Sequence, residues 1–396
     1  MALHSLMTQV HKRIYHVMSG AKQAARFWLS LHDKSLLERF DKGFGPPQPL
    51  DGNRHQPADK VLERVIAAFK QGKEDQAAAG AEYAVGPMWK KIVSRNFGEL
   101  LSAVERQRDT DAIGILESFH RSQVSLGAGG SYDDYLAFRQ NPLYRYQFIN
   151  TWVDYVRVFQ GIGGKETELS FSQVGRPAGM STGPEVIPLE AVRYHYWARR
   201  FHALLEDAQR PTICEIGGGL GGQAYKTLEM TPNDLCYMIF DIPETLLVAS
   251  YFLLRSRPAA RVLLYGEGDL DRNTTEEFDL VLMPNFELPK VPDSSVNLWF
   301  NSCSFTEMLR ETAQEYLHQI ERTCRRFFLH VNHTVHFHWT VGDEVFENLP
   351  ADELIPDPNR FELVERVPRP FERIEDRRFL RQHNAGHEVF LYQRVS

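Results

Sequence analysis

One short run constrains the fold more than any other. The apolar strand Thr212-Ile-Cys-Glu-Ile216 passes directly into Gly217-Gly-Gly-Leu-Gly-Gly222 and then into helix-forming residues. Glycines lack a Cβ, so such a run can turn sharply and let the backbone approach a ligand closely. The helix beyond it begins with unpaired N–H groups. Strand, glycine turn and helix in succession open an α/β unit with a parallel sheet. Gly217, Gly219 and Gly222 satisfy the GxGxxG spacing, which several nucleotide-containing ligands share.

Downstream of this turn, short apolar strands alternate with helices. The pattern predicts strands at Thr212–Ile216, Leu235–Asp241, Phe278–Pro284, Val296–Ser302 and Arg326–Val331, with helices at Glu244–Arg255 and Phe305–Thr323. Val262–Tyr265 reads as an extra strand or an early part of the third. Phe361–Val367 and Glu388–Arg394 form a last pair. The charged stretch between them has no helix-length apolar pattern, which predicts an antiparallel hairpin. A dinucleotide dehydrogenase would instead continue with parallel strands.

Residues 1–200 read as mainly helical. Val61, Leu62, Val65, Ile66 and Phe69 share one helical face within Ala58–Lys70, and Trp89–Arg106 and Asp111–Gln123 repeat that pattern. The runs 44–49 and 127–130 are loop punctuation. The aromatic residues concentrate between Tyr132 and Phe201; a loop over 161–188 leads to a helix at Leu189–Leu205. The expected division is a helical N-terminal region over 1–130, a helical cover over 131–205 that helps form an acceptor site, and a ligand-binding domain over 206–396.

A formal charge of −7 argues against a nucleic-acid surface spread over the whole molecule. Cys214, Cys236, Cys303 and Cys324 make no CxxC pair and read as buried thiols of a reducing cytoplasm, which is the expected location. No run approaches the ~20 apolar residues of a membrane span. Residues 1–31 carry Lys12, Arg13, Lys22 and Arg26 among apolar side chains, as a surface helix does, with weak peripheral membrane contact as the alternative. His330, His333, His336 and His338 have no acid in their run, and no metal site is expected there. Self-association is left open.

Two acids narrow the ligand. Glu215 stands two residues before the first glycine, where a carboxylate is poorly placed for a pyrophosphate but can offset a sulfonium and an ammonium group. Asp241 closes the next strand, where an acid accepts hydrogen bonds from ribose hydroxyls. Asp241 also precedes a helix start marked by Pro243.

Glu-x-Gly-x-Gly-x-Gly, followed by a strand ending Phe240-Asp-Ile-Pro243, resembles the class I S-adenosylmethionine methyltransferases. Leu282-Met-Pro-Asn-Phe-Glu287, Asn301-Ser-Cys-Ser-Phe-Thr-Glu-Met308 and the helix bearing Tyr194, His195 and Tyr196 extend the likeness to a bacterial family of sugar O-methyltransferases, over residues 130–396. The resemblance implies a Rossmann-like class I methyltransferase sheet, with five parallel strands plus an antiparallel C-terminal hairpin, behind the N-terminal helical region. It implies S-adenosyl-L-methionine as cofactor, with Glu215, Gly217, Gly219 and Gly221 lining its methionine and ribose part and Asp241 holding the ribose. For adenine it favours Asn285 and Phe286 over Glu267 and Asp269.

Methyl transfer to a hydroxyl needs in-line approach and a base. In this fold such groups lie at the ends of the fourth and fifth strands. Glu307 stands just past the fourth, as an active-site acid or as the far end of a capping box on Ser304. His333 follows the fifth, as a base or as a polar loop residue. Gln173, Arg176, Tyr194, His195 and Tyr196 offer aromatic faces and Arg forks to a sugar bearing a phosphate, or pack the helical region onto the sheet. The expected activity is methylation of a sugar hydroxyl in a polysaccharide, glycolipid or sugar-containing metabolite. The alternatives are another small hydroxylated acceptor, a nicotinamide-dependent oxidoreductase and a non-catalytic assembly partner.

Overall fold

The computed structural model describes residues 33–47, 57–125, 132–231, 235–371 and 386–395. The readings of 1–31 and of the loop 127–130 lie outside the described residues.

Among the described residues helices dominate up to residue 205, and two of the α-helices start on a capping side chain. Lys34–Phe44 begins on Asp33, whose carboxylate accepts from the N–H groups of Ser35 and Leu36 at 3.0 and 3.2 Å. Pro142–Gly161 begins on Asn141, which accepts from Leu143 N at 2.9 Å, with Pro142 supplying a preset φ. The single helix expected over 89–106 is divided instead. Pro87–Ile92 runs into a π-turn, Val93–Phe97, before Gly98–Glu105 resumes the α-helix. Among the described residues no helix is long and apolar enough to cross a membrane.

Twelve strands occur among the described residues. β1 (Met180–Ser181) and β2 (Val186–Ile187) make a small antiparallel pair. β3 (Thr212–Ile216), β4 (Cys236–Asp241), β5 (Val262–Leu264), β6 (Leu280–Pro284), β7 (Val296–Ser302) and β8 (Cys324–His333) follow, then an outlying hairpin of β9 (His338–Val341) and β10 (Glu344–Glu347). β11 (Phe361–Pro368) and β12 (His387–Arg394) end the chain's strands. The main sheet has the order β11-β12-β8-β7-β3-β4-β6-β5. All five expected parallel strands are present, and Val262–Leu264 is the extra one, parallel to β6 at the sheet edge. The last pair is antiparallel as expected, with β12 beside β8. This is a Rossmann-like α/β sheet closed by a C-terminal hairpin.

Both faces of the sheet are covered, which is why its strands read as near-continuous apolar runs. Ile213, Tyr237, Ile239 and Phe300 pack with Phe201, Trp197 and the N-terminal helices on one face. Cys214, Met238, Phe240 and Trp299 pack with Ile320 and Tyr316 on the other. The chain leaves β3 for β4 on one side and returns to β7 on the other, so the strand order reverses there. Such a switch point opens a crevice beyond the carboxyl ends of the strands.

Candidate functional site

The crevice beyond β3 is lined by Gly217, Gly219, Asp241, Asn285, Ser304, Glu307, Thr312 and Tyr316, with Ala84–Gly86 and Trp89 as its outer wall. Gly217 and Gly219 both take left-handed backbone angles, φ +73° and +55°, which side chains disfavour. A Cβ on Gly217 would stand 2.3 Å from Ser304 Oγ, so this turn has no room for one. Asp241 fastens the turn: Gly219 N donates to Oδ2 at 3.1 Å and Ile242 N to Oδ1 at 2.8 Å. Burial lifts the Asp241 carboxyl to about 6, against hydrogen bonds from Thr245, Ile242 and Gly219 that favour its charge.

Glu215 departs from the expected position. Strand alternation turns its side chain toward Tyr237 and Ile239, beneath the glycine turn, and it does not line the crevice. Tyr237 Oη donates to Oε2 at 3.0 Å, and only 4% of the residue is exposed. Burial raises its carboxyl to about 8, with the Asp241 charge adding to the effect. The influence of Glu215 on a ligand therefore passes through the turn rather than by contact.

The two readings of Glu307 are separated by Ser304. Its hydroxyl donates to Ile216 O at 3.2 Å and receives Asn301 Nδ2, and it caps nothing. The expected helix start moves to Arg310, after a single 3-10 turn at Phe305–Glu307. Freed from a cap, the Glu307 carboxylate faces the crevice and accepts the Trp89 indole N–H at 3.0 Å. Burial, helped by Asp241, raises it to about 7. Asn285 sits at the end of β6, where its Nδ2 donates to Tyr83 O at 2.8 Å and Tyr316 Oη at 2.6 Å. Its buried Oδ1 has no hydrogen-bond partner, an acceptor left over at the crevice wall. Phe286 turns away to an edge contact with Tyr265, ring centres 5.6 Å apart. Glu267 is taken up by Arg64 and Leu264 N, and Asp269 is exposed.

The remaining candidates lie elsewhere. His333 is the last residue of β8 rather than a loop residue, and its ring centre is 3.5 Å from that of His387. Burial, with His387 and Arg369 nearby, pushes its imidazole down to about 2, so it is a poor base, and it does not line the crevice. Tyr194 packs over Gly222 at the start of the helix behind the glycine turn. His195 Nε2 receives Ser170 N at 3.1 Å and belongs to the packing of the helical region. Arg176 forms a turn with φ +54°, its carbonyl accepting from Arg121 Nε at 2.8 Å. Trp89, Thr312 and Tyr316 were not singled out by sequence as site residues. Trp89 reads there as one more apolar position on a helix, and its partner is 218 residues away.

A scan against protein-family models finds no match, and a search of curated proteins finds none. Among solved structures 331 chains match. Geranyl diphosphate C-methyltransferase from Streptomyces coelicolor A3(2), in complex with Mg2+, geranyl diphosphate and S-adenosyl-L-homocysteine, shares 11% identity at a TM-score of 0.35, over 52% of this chain and 81% of that one. TrmN from Thermus thermophilus shares 13% at 0.34, over 55% and 56%. A geranyl diphosphate methyltransferase in complex with GPP and sinefungin shares 12% at 0.34, over 50% and 77%. These likenesses are partial and distant.

Proposed function

We propose that the chain is an S-adenosylmethionine-dependent O-methyltransferase whose acceptor is the hydroxyl of an uncharged sugar. The observation that carries this reading is the charge of the crevice. Asp241 and Glu307 line it, Glu215 lies beneath its turn, and no Lys, Arg or His is among the described residues that line it. A dinucleotide would set a diphosphate against these carboxylates with no cation to offset it. A sulfonium and an ammonium suit them. The glycine turn gives a nucleoside close approach, Asp241 can accept from ribose hydroxyls, and the free Asn285 Oδ1 can accept from an exocyclic amine.

S-adenosylmethionine supplies an activated methyl group. The chain's own residues hold the acceptor hydroxyl in line and remove its proton. Glu307 is the acid so placed, and a carboxyl near 7 is matched to proton acceptance at neutral pH. With S-adenosylmethionine bound, its methyl group would pass to the acceptor oxygen and S-adenosylhomocysteine would leave, while the Glu307 carboxylate would take the hydroxyl proton. Trp89 offers an aromatic face for a sugar ring beside that carboxylate, and the absence of cations among the described lining residues favours an acceptor without phosphate. Labelled S-adenosylmethionine with a panel of neutral saccharides tests the reading. Methyl incorporation into a sugar supports it, and tight nicotinamide dinucleotide binding without S-adenosylmethionine binding contradicts it.

A further inference from the structure

Trp89 reaches the crevice from the N-terminal region, on the short helix Pro87–Ile92. An indole N–H can only donate, and this one is aimed at Glu307 Oε2. The helix is held at its C-terminal end. Lys91 bridges to Asp343 and Glu344 of the β9–β10 hairpin at 3.1 and 2.6 Å. Directly after it comes the π-turn Val93–Phe97, with Asn96 and Phe97 buried. Such turns are rare and recur at functional sites.

The surroundings make this donor consequential. Among the described residues that line the crevice the other charged group is Asp241, which repels a second negative charge. Ser304, Thr312, Tyr316 and Asn285, on the other elements around the crevice, are uncharged. Burial and Asp241 both favour a protonated Glu307, and the indole opposes them.

We infer that Trp89 is a positioning residue, whose indole N–H holds the Glu307 carboxylate aimed into the crevice in its proton-accepting form. The inference rests on the reading of Glu307 as proton acceptor. It makes the N-terminal helical region part of the catalytic apparatus rather than a cover alone.

The test uses the full chain with W89F and, to retain ring shape, with benzothienylalanine at position 89, which replaces the indole N–H by sulfur. The Glu307 carboxyl is titrated by carbon-13 NMR without ligand and assigned through E307Q. Losing a hydrogen bond to a charged group raises that titration by about one pH unit. With a monosaccharide that accepts methyl, the rising limb of the pH–rate profile moves equally, so turnover at pH 7 falls about fivefold and recovers at higher pH. An unmoved carboxyl titration, or a rate loss equal at every pH, overturns the inference alone. Full turnover by E307Q overturns the reading of Glu307 and the inference with it.

Discussion

At the scale of single residues, three carboxyl groups near the glycine turn sit close to the point where they change charge. Asp241 is lifted to about 6, Glu307 to about 7 and Glu215 to about 8, each chiefly by burial. A cation nearby favours their ionised forms. S-adenosylmethionine affinity should therefore rise between pH 6 and pH 8, with protons released on binding. Calorimetry in buffers of different ionisation enthalpy measures both, and S-adenosylhomocysteine, lacking the sulfonium, should show the weaker pH dependence. Glu307→Gln removes the proposed proton acceptor without adding bulk. Its turnover should fall about 10²–10⁴-fold, and S-adenosylmethionine binding should lose the part of its pH dependence that Glu307 supplies; an active E307Q enzyme would remove Glu307 from the mechanism. His333→Ala should leave the rising limb of the pH–rate profile in place and lower the melting temperature, because that ring packs against His387 and Phe337.

At the scale of elements, the turn between β3 and the helix Gly222–Met230 carries the cofactor hypothesis. Gly217→Ala forces a side chain into a left-handed conformation, costing about 1–2 kcal/mol, and drives a methyl group toward Ser304 Oγ. A protein that still melts cooperatively but no longer binds S-adenosylmethionine is the expected outcome; unchanged affinity would place the ligand elsewhere. The strands were legible in sequence because burial on both faces makes them apolar throughout, and Thr212–Ile216 and Val296–Ser302 fall at their expected bounds. Val262–Leu264 was ambiguous because three residues carry too little pattern. The π-turn was not legible, since Val93–Phe97 continues the apolar periodicity of its neighbours. Asp241 and Glu307 could be placed from motifs beside strand ends. Trp89, Tyr316 and the free oxygen of Asn285 could not, because each depends on contacts across the fold. Arg176, Tyr194 and His195 were grouped by residue type, but helical geometry points adjacent side chains about 100° apart. Tyr194 meets Gly222 while His195 meets Ser170.

At the scale of the whole molecule, these carboxyl groups couple folding to pH. Glu215 and Glu307 bind protons more tightly folded than unfolded, so the stability they contribute is complete below 4.5 and lost as pH rises through about 7 and 8. His195, His330 and His333 are pushed to about 3, 3 and 2, and what they contribute is lost only on acidification below 6.5. Between pH 6.5 and pH 8 the carboxyls dominate. The ligand-free protein should lose a few degrees of melting temperature across that interval, and Glu215→Gln should flatten the slope; a melting temperature that rises would contradict the assigned burial of Glu215. On the proposed function the crevice selects positive charge over a diphosphate. Isothermal titration of the purified full chain with S-adenosylmethionine, S-adenosylhomocysteine and nicotinamide dinucleotide measures that selection directly. Saturable binding of the first two with none of the third is the predicted result, and uptake of the dinucleotide alone would contradict it.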